Sequence, residues 1–470
     1  MIKSTNAAYA ILSVILFCNV GCTINKPVIA VIGTGYVGLV TGTCLAHLGN
    51  NVICADIDQE KINALNNGVV LMYEPGLKEL LDESVLKNQL QFTHDSANAA
   101  QQADIIFIAV DTPMQSDGTA NMAYLESALQ TIAPTLTKHK VLCIKSTVPI
   151  GTTDYVQQLL MSWGVEKHAF SLVMNPEFLR EGSAVQDFLH PDRIVIGSRS
   201  YQAAQQIKSL YEPLLTSNTP CTIVDPATAE TIKYASNSFL AVKISFINEI
   251  ANLCEQTGAD ICAVSHAMGL DKRIGPYFLK HGAGFGGSCF PKDCNALLHN
   301  AKKWGVSLPT LSACLLTNEE QRKKPVKKLL DFMPNLHNKS VTVLGLAFKA
   351  GTNDVRNSCA ITTIDLLLQQ GAHIKAYDPV ANTNMKQLFP RIDYCNCLED
   401  AIDQTDAIII MTDWPEFKQL ENISKKSSAH DLIIIDACNI IDCSKLETKK
   451  IIVGKMGKKY EAMDNRRMCN

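Results

Sequence analysis

The chain has 470 residues, 47% of them hydrophobic, and a formal net charge of −3. That length suits two or three domains with several buried cores. The near-neutral charge leaves no broad basic field and argues against nucleic acid as a partner.

Seventeen cysteines are scattered through the chain, several in apolar runs such as NVICADI, KVLCIKS and DACNI. None forms a CxxC pair, and His and Cys never cluster at ligand spacing. The expectation is a reduced, cytoplasmic protein whose cysteines mostly fill cores, with no metal site.

Residues 1–25 read as an extension. Ala7 to Val20 is mostly apolar and too short for a membrane span. It is similar to a signal-peptide core, and Gly21-Cys22 to a lipoprotein cleavage site. A leader, an anchor and an over-called start stay open as readings, and the fold is expected to begin near Lys26.

From 26 to 225 the strand candidates are VIAVIG, NVICADI, DIIFIAV, VLCIKST, SLVMN and RIVIGS. Continuous apolar strands at helix-length intervals predict a doubly wound parallel α/β sheet covered on both faces. The first strand runs into Gly33-Thr34-Gly35-Tyr36-Val37-Gly38, which opens a helix. The first Gly permits a tight turn, the second lets a pyrophosphate reach the backbone, and the third packs helix on strand. Asp56 ends the next strand, where an acid accepts hydrogen bonds from an adenosine ribose and disfavours a 2′-phosphate. The site is therefore expected to take NAD. Thr147 and Glu177 also follow strands, where side chains of such sheets meet ligands.

From 226 to 324 a helical unit is expected. It opens on Ala227 to Thr257, free of Gly and Pro and about 46 Å long as one helix. Lys233 and Asn237 are four apart and share a face. They would place an ammonium and an amide beside a substrate oxygen, or form a solvated stripe. Further on, three glycines fall within the five residues before Cys289 in GFGGSCFPKD. A cysteine in so open a backbone is a candidate nucleophile if positive charge or amide dipoles favour its thiolate. Lys292 and Asp293 bring charge close to it.

From 325 to 454 the pattern returns to α/β, with strand candidates SVTVLGL, HIKAYDP, DAIIIMTD and LIIIDAC. The second sheet is expected to be smaller and to echo the first. Residues 455–470 read as a frayed tail.

Six segments, in order, resemble the UDP-glucose/GDP-mannose dehydrogenases: VIGTGYVGLVTG, KSTVPIGTT, NPEFLREGSA, KYASNSFLAVKISFINE, GLDKRIGPYFLKHGAGFGGSCFPKD and GLAFKAGTNDVRNS. The resemblance spans about 27 to 450. It implies two Rossmann-like doubly wound domains joined by the long central helix, a homodimer or larger homo-oligomer, and a four-electron oxidation using two NAD. The C6 alcohol of a nucleotide sugar would become an aldehyde, then a thioester on Cys289, then a carboxylate. UDP-glucose going to UDP-glucuronate fits the segments best, with GDP-mannose or a UDP-N-acetylhexosamine as alternatives. A simpler dehydrogenase stopping at the aldehyde, and a catalytically silent sugar-nucleotide sensor, are readings of other classes.

By position, the resemblance implies that Lys233 and Asn237 stabilise oxyanions and that Asp293 and Thr147 order a water. Glu177 would act as acid or base in thioester hydrolysis. Glu177, Phe178, Leu179, Arg180 and Glu181 would line the substrate. Phe278, Leu279, Lys280, His281, Gly282 and Gly286 would grip it, Lys349 would contact its nucleotide part, and Arg273 would come from a neighbouring subunit. Besides the glycines, Tyr36, Val37, Asp56, Lys61, Thr112, Thr147, Glu181, Lys292 and Arg356 would serve the cofactor. Asp111 departs from the pattern, standing where the family often has Gly.

Overall fold

The computed structural model describes residues 26–216, 219–422, 432–446 and 451–458. The apolar run within 1–25 therefore lies outside the described residues. In the first sheet the strands are β1 (Val28–Ile32), β2 (Asn51–Ala55), β3 (Leu90–Thr93), β4 (Ile105–Ile108), β5 (Lys140–Ile144), β6 (Phe170–Met174), β7 (Ile194–Ser198) and β8 (Cys221–Val224). Their order is β3-β2-β1-β4-β5-β6-β7-β8.

The continuous apolar runs have a simple cause. Alternate residues of one strand feed two different cores. Ile29, Val31, Ile105 and Phe107 enter one, while Ala30, Ile32, Ile106 and Ile108 enter the other. Cys44, Cys54 and Cys143 are wholly buried there as small apolar groups. β3 and β8 were not expected. Both are four-residue strands, β8 with no buried residue and β3 with one, so neither shows the long apolar run of a central strand.

One expectation needs correction, because β7 runs antiparallel to β6. Between them lie only a loop and the six-residue helix Ala184–Leu189. The connection, residues 175–193, spends its first half on the loop before that helix, and the chain re-enters the sheet at the end where β6 finished. The first residues of β7 consequently stand beside the chain that follows β6, where Asn175 Nδ2 donates to Val195 O at 2.8 Å.

The long helix runs from Pro226 to Thr257, 32 residues, or about 48 Å. Asp225 caps it by accepting from Thr228 N at 3.0 Å, and Pro226 occupies the first turn. Gly258, at φ +77°, ends it. Helices Phe290–Lys303 and Pro309–Arg322 pack on it through Ala241, Phe285, Cys294, Leu311 and Cys314. A further helix, Lys324–Phe332, leads into the second sheet.

That sheet holds β9 (Ser340–Leu344), β10 (His373–Tyr377), β11 (Asp393–Tyr394), β12 (Ala407–Ile410), β13 (Leu432–Asp436) and β14 (Ile451–Lys455), in the order β11-β10-β9-β12-β13-β14. All neighbours are parallel. The order matches that of β1 to β6. Gly33 N donates to Ala55 O at 2.7 Å, and Gly345 N donates to Tyr377 O at 2.8 Å. Asp56 and Asp378 each follow the second strand of their sheet and accept from the backbone after that glycine. The first residues of the expected tail belong to the fold instead: Lys455 ends β14 and Met456 is buried, while 459–470 lie outside the described residues. Among the described residues no helix is long and apolar enough to cross a membrane.

Candidate active site

The turn after β1 is shaped for a close-lying ligand. Gly33 has φ +97°, and a Cβ there would stand 2.7 Å from Ala109 O. A Cβ on Gly38 would stand 1.9 Å from Gly33 O, so helix and turn could not pack. Gly35 precedes the helix Tyr36–His47, and a Cβ there would meet only Asp111 Oδ1, at 3.7 Å. This open helix N-terminus, with Val37 half-buried in its first turn, fits a dinucleotide pyrophosphate.

Asp56 is buried at the end of β2. Its Oδ2 accepts from Thr34 N at 2.7 Å, Thr34 Oγ1 at 2.9 Å and Lys61 Nζ at 3.0 Å. Burial pushes the carboxyl up, but the Asp58 and Thr34 amides and Lys61 outweigh it and hold the carboxyl below its ordinary value. Lys61 thus neutralises Asp56 directly. Asp56→Ala is expected to raise the KM for NAD about ten- to hundredfold, the scale of charge-assisted hydrogen bonds. NADH formation across an NAD titration measures this.

Asp111 is exposed beside Gly35 and contributes to the field at Arg356. A carboxylate there repels an incoming pyrophosphate. Asp111→Gly is expected to lower the KM for NAD by about two- to fivefold, the scale of an exposed charge pair. The same titration at two salt concentrations reads it, since screening shrinks the difference.

Apart from the glycine turn, four buried side chains converge. Lys233 Nζ donates to Glu177 Oε1 at 2.9 Å, and Asn237 Nδ2 donates to Asp293 Oδ2 at 2.6 Å. Lys292 Nζ donates to the other Asp293 oxygen at 2.6 Å. Glu177 Oε2 also accepts from Leu179 N at 2.5 Å. Lys233 is 2% exposed and Asn237 7%, so the helix face is no solvated stripe. Despite burial, Lys233, with the Leu179 amide and Lys145, holds Glu177 below its ordinary pKa. Glu177 and Asp293 likewise hold Lys233 above its own.

Cys289 is the residue before helix Phe290–Lys303, with its Sγ 3.6 Å from Ser288 Oγ. Burial pushes its thiol up to about 11, reinforced by Asp293 and Glu177 and opposed by Lys233 and the Ser288 hydroxyl. The condition set on the sequence, that positive charge or amide dipoles favour the thiolate, is thus not met in this arrangement. Two carboxylates around one ammonium favour the neutral thiol.

The glycine loop before Cys289 is held by the second sheet's unit. Gly287 N donates to Arg356 O at 3.0 Å, and a Cβ on Gly286 would stand 2.2 Å from Asn357 O. Ser288 Oγ donates to Glu181 Oε1 at 3.1 Å. Arg356 lies 3.5 Å from Glu181 and makes a closer pair with Asp354 at 2.7 Å. Burial, then Asp354, raises the Glu181 carboxyl to about 7, against Arg356. Asn318 holds Phe285 at both N and O, at 2.7 and 3.0 Å.

The remaining expected residues fall in separate places. Thr112 Oγ1 donates to Thr147 O at 2.7 Å, linking two strand ends. Tyr36 OH accepts from Gly182 N at 2.7 Å. The ring of Phe178 faces Lys233 at 5.5 Å and Arg193 at 3.7 Å. Arg180 is exposed and paired with Asp187. Phe278 adopts φ +63° and Leu279 is buried. Lys280 pairs with Asp413 at 2.6 Å, His281 Nε2 lies 2.9 Å from Asn439 Nδ2, and Gly282 N donates to Asn248 Oδ1. Burial lowers the Lys349 ammonium, which lies near Glu181. Arg273 is exposed, paired with Asp271 and outside the cluster.

Sequence reasoning missed Glu74, which is buried and accepts from Gly182 N at 2.6 Å and Ala184 N at 2.7 Å. With Tyr36 it fixes the Glu181 turn from over a hundred residues away, a pairing no local motif reveals. It also missed Asn318 and Asp354, which act through backbone and neighbouring side chains.

Models of the UDP-glucose/GDP-mannose dehydrogenase family match the chain in three parts: the NAD binding domain at 27–215, the central domain at 227–320 and the UDP binding domain at 342–443. The chain belongs to this family. It is 47% identical over 431 residues to the UDP-glucose 6-dehydrogenase TuaD of Bacillus subtilis, covering 92% of this chain and 93% of that protein. It is 38% identical to the UDP-glucose 6-dehydrogenase of Rhizobium meliloti over 93% of this chain and 99% of that one. The solved UDP-glucose dehydrogenase of Pyrobaculum islandicum superposes with a TM-score of 0.85 at 34% identity, covering 92% of this chain and 98% of that one.

Proposed function

We propose that this protein oxidises UDP-glucose to UDP-glucuronate with two NAD and one water, through a thioester on Cys289. The observation that carries this is the convergence of Lys233, Asn237, Asp293 and Glu177 around one cysteine, in a chain that also carries the glycine turn. NAD, when bound, accepts one hydride in each of two oxidations. The chain's residues manage protons and charge. Lys233 and Asn237 are placed to stabilise negative charge on the C6 oxygen. The Cys289 thiol adds to the aldehyde, forming a C6–S bond as its proton passes to the former carbonyl oxygen. After the second oxidation, Glu177 takes a proton from the attacking water and passes it to the sulfur as the C6–S bond breaks, and the acid formed loses its own proton to solvent as the carboxylate.

The test is stoichiometry with UDP-glucose, GDP-mannose and UDP-N-acetylglucosamine in parallel. Two NADH per UDP-glucose, with UDP-glucuronate as product, is the expected result. One NADH per sugar would sink the thioester route.

The same reading includes a homodimer built on the long helix, in the cytoplasm where both substrates occur. Phe239, Phe246 and Leu253 recur every seven residues and are 65, 46 and 58% exposed. Such a stripe matches a helix-packing seam. Phe246→Glu is expected to yield monomers by light scattering.

A further inference from the structure

Lys145 follows β5 by one residue and is buried within the first sheet's unit. Its Nζ donates to Asn175 Oδ1 at 3.0 Å and to Tyr211 OH at 3.3 Å. Neither partner is charged. Tyr211 OH donates to the same Asn175 oxygen at 2.7 Å, and Asn175 Nδ2 donates to Val195 O at 2.8 Å. A buried ammonium without a bonded carboxylate is costly and calls for a reason. Burial pushes it down to about 8. Cys143 of β5 and Glu177 oppose that, and Lys233 of the long helix adds to it.

Two features point to the reacting centre. Thr147 lies two residues after Lys145, and Glu177 two residues after Asn175. The Lys145–Asn175 bond therefore ties together the two strand ends carrying those side chains, beside the bond from Asn175 N to Ile144 O at 2.9 Å. The second feature is charge. Lys233 and Lys292 each pair with one carboxylate, Glu177 and Asp293. Lys145 is the third cation, within electrostatic reach of Glu177. Lys233 cannot serve both Glu177 and a developing oxyanion on the sugar with its full strength.

We propose that Lys145 is a positioning residue that fixes the Thr147 and Glu177 strand ends and supplies Glu177 with positive charge when Lys233 turns to the sugar oxygen. This rests on the activity proposed above. Glu177 is faced by Lys233 from the long helix, by Cys289 from the glycine loop and by Lys145 from β5. Removing Lys145 thus leaves one cation where there were two.

Lys145→Met keeps the length of the apolar stem and removes the charge. Its kcat is expected to fall about tenfold or more, with the KM for UDP-glucose within about twofold. The acid limb of the kcat–pH profile is expected to move up by roughly half a unit or more, as Glu177 loses a cation. Lys145→Arg should return the limb toward wild type. A Lys145→Met profile superimposable on wild type overturns the proposal. If that variant does not fold, Lys145→Gln, which is neutral but can keep a hydrogen bond to Asn175, reads the same loss of charge, and an unmoved acid limb there is equally fatal.

A second readout needs no activity. The native ammonium titrates near 8 and its unfolded form near 10.5. The unfolded state binds more protons between those values, so wild-type stability relative to Lys145→Met should rise with pH across that window. A pH-independent difference overturns the buried charge. If wild type leaves UDP-glucose untouched, the proposed activity fails by itself, and the stability difference still decides whether Lys145 is held there as a charged group.

Discussion

Cys289→Ala is expected to lose UDP-glucuronate formation by on the order of a thousandfold or more while NAD still binds. The first oxidation does not need the sulfur, so no more than one NADH per site should appear in a single turnover. Cys289→Ser, whose hydroxyl is a weaker nucleophile and a poorer leaving group, should stall at or before an adduct detectable by intact mass. Full product formation by Cys289→Ala would refute the assigned nucleophile. The resting thiol adds a pH signature. With its pKa pushed up to about 11, alkylation by iodoacetamide in the absence of substrate should rise about tenfold per pH unit from 7 to beyond 9. An ordinary thiol would level off near 9. An early plateau would show that Lys233 and the helix N-terminus outweigh the two carboxylates, contrary to the geometry.

Much of the fold was legible because the cores demand it. Strands such as β1 and β4 feed both faces of a sheet, so they must be apolar throughout, and that run is visible in the chain. β3, β8, β11 and β14 lie at the sheets' edges or next to them, where short or half-exposed strands leave weaker patterns. The reversal of β7 was not legible, since strand direction depends on where the connecting chain goes rather than on composition. At the site, Cys289 stood out by its polar glycine-rich setting, and Lys233 and Asn237 by helical spacing. The pairs Lys233–Glu177 and Asn237–Asp293 each join residues 56 apart, and no spacing rule predicts them. The protonation state of Cys289 was left conditional for the same reason: it depends on burial first and then on the balance of Asp293 and Glu177 against Lys233, which only the folded arrangement fixes.

Lys233→Met separates the structural from the chemical side of that balance. It breaks a buried ion pair and strands the Glu177 carboxylate, a change that costs about 3–5 kcal/mol in comparable sites. In the wild type, Glu177 is held below its ordinary pKa. Its contribution to stability is present above the unfolded carboxyl pKa and fades as pH falls through the folded one. Lys233, held above its ordinary value, contributes below the unfolded lysine pKa and fades as pH rises through the folded one. In the variant, burial dominates and Glu177 must be protonated to remain inside. The stability gap between the two proteins should therefore be widest near neutral pH and narrow as pH falls toward 4, as urea unfolding would measure. Adding Glu177→Gln removes the stranded charge and is expected to recover most of the lost stability, because neutral replacement of both partners is far cheaper than removal of one. Activity should not return with it. A double variant that regained turnover would show the pair to be scaffolding, and the oxyanion role would have to pass to Asn237.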